Sequence, residues 1–115
     1  MPGVDYRYRC TVARVVDGDT LDVDVDLGFF ASMRVRVRVR GVNAPEVSTA
    51  EGRASRTALT AFLGPGTQVI CSTFKPDKYG GRWDADVLVL VKDGGAGIDV
   101  AGWLVEHGLA VVRVY

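Results

Sequence analysis

The sequence predicts a mainly β chain with two helices, closed as a small five-stranded Greek-key barrel. Three observations lead there. Residues 5–40 carry three extended, alternating segments in a row. One helical pattern follows the third of these, and a second follows two further extended segments. Clusters of Gly, Pro, Asn and Asp mark the changes of pattern.

Each element has its own warrant. Residues 5–16 read as a strand, and Asp17-Gly18 is a turn signal. Leu21, Val23, Val25 and Leu27 then alternate with Asp22, Asp24 and Asp26, the signature of a half-buried strand. Residues 28–32 are expected to be a loop. Val35, Val37 and Val39 alternate with Arg34, Arg36, Arg38 and Arg40 in a third strand, which Gly41 and Asn43-Ala44-Pro45 end. The spacing of Ala54, Ala58, Leu59 and Phe62 predicts a helix over 48–63, capped by Ser48 or Thr49 and stopped at Gly64-Pro65-Gly66. Residues 67–74 and 83–91 read as strands around a polar loop over 75–81. Asp99 is the cap of a second helix, with Val100, Trp103, Leu104 and His107 on one face and Gly108 as its stop. Residues 109–115 form a last extended piece. This order suits a barrel of the oligonucleotide/oligosaccharide-binding type, the OB-fold.

Length and composition narrow the function classes. With 115 residues the chain suits one domain, 1–115, and 48% hydrophobic residues are enough for a core. No apolar run reaches membrane-spanning length. The first ten residues are too polar for a signal peptide, so a cytoplasmic location is expected. Cys10 and Cys71 are far apart and outside any CxxC or Cys/His cluster, which favours two buried reduced thiols over a disulfide or a zinc site. Lys+Arg and Asp+Glu both number 14, and a formal charge of zero argues against a coat of bulk positive charge on nucleic acid. The charges are nevertheless segregated. Five Asp and no base fall in 17–26, and four Arg and no acid in 34–40. Arg34, Arg36 and Arg40 are expected to pair with Asp22, Asp24 and Asp26 across a hairpin, in preference to forming a substrate-facing stripe.

Three segments carry chemistry. In Val16-Asp17-Gly18-Asp19-Thr20, Asp19 shares parity with the core-facing residues, where a carboxylate is costly unless it is paired or holds a cation. Asp17 is read as a turn former. An EF-hand starting at Asp22 fails, because its sixth and twelfth positions are Leu27 and Met33. In Arg38 to Glu46, Asn43 and Glu46 offer oxygens where the strand leaves the sheet, although alone this reads as a turn before a helix. In Lys75 to Arg82, cations, an aromatic and glycines could hold a phosphate and stack a base, although alone this reads as a polar hairpin loop.

Together these segments resemble the staphylococcal nuclease (thermonuclease) family, over about Tyr8 to Tyr115. The carriers are Val16-Asp17-Gly18-Asp19-Thr20, Arg38 eight residues after which Glu46 follows Pro45, Asp77-Lys78-Tyr79-Gly80 with Arg82, and Leu104-Val105-Glu106-His107-Gly108-Leu109-Ala110. The resemblance implies a calcium-dependent phosphodiesterase acting on DNA and RNA. It makes Asp19 and Asn43 side-chain ligands of Ca2+, with the Ala44 carbonyl as a backbone ligand. Glu46 becomes the general base, Arg38 and Arg82 the grip on the scissile phosphate, and Lys78 and Tyr79 contacts to the nucleotide. Guanidinium forks suit phosphate oxygens, and calcium suits hard oxygen donors.

Three departures accompany the resemblance. Asn43 stands where well-known members have aspartate, which removes one negative charge. An extra glycine precedes Arg82. The chain ends at Tyr115, where larger members continue into a C-terminal helix, so that helix is expected to be absent. The alternative expectation, motivated by Asn43, is a catalytically silent barrel that binds nucleic acid or protein. His107 is not assigned a catalytic part, Trp103 is expected in the core, and Trp83 is read as core ahead of stacking platform. Arg38 shares parity with the outward arginines while Asp19 shares it with the core, so the two can meet only if twist or a bulge redirects one.

Overall fold

A computed structural model describes residues 6–73, 78–79, 82–90 and 97–113, with the backbone alone for Lys78, Tyr79 and Arg82. The elements in chain order are β1 (Tyr6–Asp17), β2 (Thr20–Gly28), β3 (Ala31–Val39), β4 (Val42–Asn43), α1 (Ala50–Phe62), β5 (Gln68–Thr73), β6 (Lys78–Tyr79), β7 (Arg82–Val89), β8 (Ile98–Asp99), α2 (Val100–Glu106) and β9 (Val111–Val112). β3, β2, β1, β5 and β7 lie side by side in that order, and β3 also pairs β7, in parallel, so the five strands close into an OB-like barrel. The chain is mainly β with two helices, as the alternation of its sequence predicts. No helix among the described residues is long and apolar enough to cross a membrane.

The barrel interior is filled from one parity of each strand. Cys10 and Val12, Leu21 and Val23, Val37 and Val39, Val69 and Cys71, Ala85 and Val87 are all buried. Leu59 and Leu63 from α1 and Val100 and Leu104 from α2 complete the core. Trp103 stacks on Phe62 at 4.2 Å between ring centres, which joins the two helices. His107 stacks in turn on Trp103 at 4.4 Å, with its Nδ1 2.8 Å from Trp103 O. Both cysteines are buried free thiols, and the contact with Cys10, then burial, pushes the Cys71 thiol up.

Helix caps follow the expected chemistry. Thr49, not Ser48, caps α1, its Oγ1 accepting from Gly52 N at 3.0 Å. Asp99 caps α2 by accepting from Gly102 N. Gly108 takes a positive φ of 67°, and Leu109 N donates to Leu104 O to close the helix end.

The charged ladder is real but shorter than the sequence suggests. Arg34 forks onto Asp24 at 2.9 and 3.0 Å, and Arg36 onto Asp22 at 2.9 and 3.2 Å. Arg14, from β1, also reaches Asp22 at 3.2 Å. Asp26 instead accepts from Gly28 N, and Arg40 lies past the ladder, lining a groove of about 510 Å³ with Arg7, Ser72, Asp86 and Asp99. The bond with Arg36, above all, holds the Asp22 carboxyl below the ordinary carboxylate range. A folded-state pKa below the unfolded one gives stability that is complete above about pH 4 and is lost as pH falls through the folded value. Asp22→Asn is therefore expected to reduce stability near neutral pH by about 1 kcal/mol and to converge with the wild type in acid. Urea midpoints measured at both ends of that range check this; an equal deficit in strong acid would assign the loss to packing.

The loop expected over residues 28–32 is much tighter. Gly28 and Ala31 both belong to strands, and only Phe29 and Phe30 reverse the chain. Both are left-handed, with φ of 55° and 61°. A two-residue hairpin turn of this hand matches strand twist and favours Asn-Gly, whereas residues with a bulky Cβ cost about 1–2 kcal/mol each there.

A buried ion pair where the strands leave the barrel

The candidate site forms where β2 begins and β3 ends. Thr20 is the register partner of Arg38, and Val39 N donates to Asp19 O at 2.8 Å, so the two strand ends are fixed to each other. Gly18 and Asp19 form the turn before β2, and β1 has irregular register at Val12/Arg14 and Val15/Asp17. The turn, not strand parity, sets the direction of the Asp19 side chain. On the other strand, the face of β3 that is open at Arg34 and Arg36 is closed at Arg38 by residues 42–44. This resolves the clash of parities, and the two side chains meet.

Arg38 and Asp19 are each 6% exposed. Arg38 Nη2 donates to Asn43 Oδ1 at 2.6 Å and to Val42 O at 3.1 Å, and lies 3.5 Å from Asp19 Oδ2. The last distance is long for a hydrogen bond and is best treated as an ion pair. Arg38 Nη1 is buried and has no hydrogen-bond partner among the described residues. A buried guanidinium N–H without an acceptor costs free energy until something supplies one. Asp19 has both oxygens engaged: Oδ1 accepts from Thr20 Oγ1 at 2.9 Å and Oδ2 from Ala44 N at 2.9 Å.

Asp17 belongs to the same cluster. Its Oδ1 accepts from Asp19 N at 3.2 Å. Burial, and then the neighbouring Asp19 carboxyl, push Asp17 above the usual carboxylate range. For Asp19 burial works upward too, but contacts with Asp17, Ala44 N, Thr20 and Arg38 outweigh it and hold this carboxyl below its ordinary value. Two carboxyls that repel in this way titrate as a pair. The bond from Asp19 N, two residues on, is the turn-forming role read for Asp17 from the sequence, and the same turn places the Asp17 carboxyl against Asp19.

The glycine of this turn is closely packed. A Cβ on Gly18 would sit 2.8 Å from both Ala44 Cβ and Ser55 Cβ. The turn thus packs directly on the connection after β4 and on α1. Ser55, buried in α1, donates to Leu109 O at 2.8 Å, and β4 pairs β9 through Asn43↔Val111. Gly52 lets the connection lie on the helix start, with Thr49 N and Oγ1 both donating to Glu46 O.

The structure therefore brings together Asp19, Arg38, Asn43 and Ala44, with Asp17 and Thr20. Glu46 lies two residues further along the same connection, with its side chain exposed. Arg82, Lys78 and Tyr79 lie in β7 and β6, paired Tyr79↔Arg82 and Lys78↔Trp83, and their side chains fall outside the described residues. The backbone of Arg82 is two positions before Asp84, the register partner of Arg38. Trp83 is half-buried between Val37 and Lys78 in the register.

Hard oxygen donors of the kind calcium takes are present: a carboxylate at Asp19 with Asp17 against it, an amide oxygen at Asn43 and the Ala44 carbonyl. Two of these are held by Arg38, so a cation and the guanidinium would compete for the same oxygens.

No family model matches the chain. Among known proteins it is similar to Protein ParB of Escherichia coli, with 38% identity over 74 residues, which is 64% of this chain. The chain spans 38% of the length of that relative.

Proposed function

We propose that the chain is a metal-dependent nuclease that hydrolyses phosphodiester bonds in DNA and RNA. The observation that carries this reading is the buried Arg38, whose Nη1 has no acceptor among the described residues, set against Asp19 and the Asn43–Glu46 connection. A guanidinium that is both buried and short of an acceptor suits an anionic ligand with oxygens to offer, and phosphate is one. The resemblance to the staphylococcal nuclease family supports the same assignment.

In this reading Asp19, Asn43 and the Ala44 carbonyl hold Ca2+, and Asp17 adds negative charge beside them. Calcium, when bound, polarises a phosphoryl oxygen and eases loss of a proton from water. Without its contacts to Asp19 and Asn43, Arg38 Nη2 would keep its bond to Val42 O and have one N–H to add to Nη1 for phosphate. Arg38 and Arg82 then grip the scissile phosphate and offset the charge that develops on it. Glu46, exposed on the connection, accepts the proton of the attacking water. Lys78 and Tyr79 contact the nucleotide.

The test is cleavage of single-stranded DNA with added calcium, expected to be lost in excess chelator. Glu46→Gln is expected to slow cleavage by about 10²–10⁴-fold with folding unchanged. An unchanged rate would remove Glu46 as the base, and persistence in chelator would remove the metal. The short bond from Arg38 to Asn43 favours a second reading, a binding module without catalysis, in which Arg38 itself fills the cation's place. Retained DNA binding with no cleavage under any divalent metal would establish that reading.

A further inference from the structure

The β2–β3 ribbon continues a short way past the strands that flank it. β2 pairs β1 as far as Val25, opposite Cys10, and β3 pairs β7 over Val37–Val39. Beyond Val25 residues 26–28 and 31–32 are paired with each other alone among the described residues, while residues 33–36 of β3 pair residues 22–25 and leave their other edge open. At the end stand Phe29 and Phe30, 102% and 111% exposed, behind which Leu27 and Met33 are about half exposed. Nothing in the described chain touches either ring enough to shade it. Both also occupy the left-handed backbone that phenylalanine disfavours. Strain and exposed apolar surface fall on the same two residues, and the fold offsets neither.

We propose that this tip stacks on unpaired bases of the nucleic acid whose phosphate is held at Arg38. The proposal rests on the nucleic-acid reading of that site. Three observations choose bases over other occupants. The ribbon that ends in the two rings is rooted at Arg38 and Asp19. From Arg38 to Phe30 is eight residues, roughly 26 Å along a strand, or about eight stacked nucleotides. One strand can therefore reach both places. The outward face of the ribbon is neutralised, Arg34 by Asp24 and Arg36 by Asp22, so the stem offers neither an anionic bilayer nor an acidic partner any net attraction. What the tip presents is aromatic faces, and every base has a face to match.

The proposal separates the rings from the charges. Arg38 should contribute a salt-dependent part of the affinity and the tip a salt-independent one. The experiment is fluorescence anisotropy of a labelled single-stranded oligodeoxynucleotide, in chelator, over a range of salt. The double variant Phe29→Asn/Phe30→Gly supplies the residues that the turn favours, so it is expected to melt higher than the wild type. Its affinity is expected to fall by at least about tenfold with the salt slope unchanged. Phe30→Tyr should retain affinity, and Phe29→Leu/Phe30→Leu should lose it. Equal affinity in wild type and double variant would overturn the proposal, as would full rescue by the leucines. So would binding to phosphatidylcholine vesicles, or self-association, that the double variant abolishes while its DNA affinity stays the same. Cleavage measured on the same proteins keeps the two readings apart. A wild type that cleaves with affinity indifferent to the tip sinks the tip alone. One that binds through the tip and never cleaves sinks the nuclease alone, and one that binds no DNA sinks both.

Discussion

Arg38→Ala is expected to lose stability by about 3–5 kcal/mol and, under the proposed nuclease function, activity by about 10²–10³-fold. The stability loss follows from burial. Asp19 would keep its place, 6% exposed, with the Asp17 carboxyl beside it and no cation opposite. Val42 O and Asn43 Oδ1 would each lose a donor. A domain of ordinary stability has about 5–15 kcal/mol in total, so the variant should remain folded with little to spare. Arg38→Lys separates the two effects. Lysine keeps the charge near Asp19 but cannot present a fork to a phosphate. It is expected to recover much of the stability and little of the activity. Chemical denaturation and a cleavage assay on the same preparations check both. A folded Arg38→Ala protein with wild-type turnover would take Arg38 out of the phosphate site.

Gly52→Ala is the second large effect, and its sign is the opposite of the usual one. Glycine to alanine within a helix ordinarily stabilises by about 0.5–1 kcal/mol. Here Gly52 lies in the first turn of α1, and a Cβ would fall 1.7 Å from Glu46 O and 2.2 Å from Glu46 C. Both are backbone atoms, so no side chain can swing away. Either the helix start or the 44–49 connection must move by more than an ångström. Overpacking of this kind costs about 3 kcal/mol. The displaced segment carries Glu46 and follows Ala44 and Asn43, and an ångström of misplacement near a reacting centre can cost about 10²-fold in rate. Unfolding and cleavage measured together should show both losses; a variant more stable than the wild type would mean that the connection yields freely.

The barrel was legible because its signal is local. Alternation of Val with Asp and of Val with Arg located β2 and β3 and anticipated a ladder between their charges, which the fold realises as Asp24–Arg34 and Asp22–Arg36. The helices were legible from their spacing and caps. Parity failed wherever the chain stops being a regular strand. It set Asp19 on the core face, which is its burial but not its reason, since Asp19 lies in a turn. It set Arg38 in line with Arg34 and Arg36 on the open face, because nothing in a strand pattern shows that residues 42–44 fold over its end. Arg40 was read as a ladder partner and lies beyond the ladder. The Phe29-Phe30 turn was read as a longer loop because it lacks the Asn-Gly pair that marks a tight hairpin. Ser55 and Gly52 gave no sign at all: their meaning depends on contacts with Leu109 and Glu46, and only the folded chain supplies those.

The contacts around Gly18 have a consequence in the order of folding. The β2–β3 hairpin closes between near neighbours in sequence and can form early. The candidate site cannot. Its floor needs the turn at 18–19, the connection at 42–46, the start of α1 at 52–55 and the segment at 109–112 to arrive together. Ser55 to Leu109 alone closes a loop of 54 residues. Contacts of such separation form late, after their loop entropy has been met by the rest of the fold. A chain still emerging or partly unfolded would then hold the β2–β3 hairpin and lack the candidate site at its root. Under the proposed function, the candidate site would be the last part of the chain to form and the first to be lost.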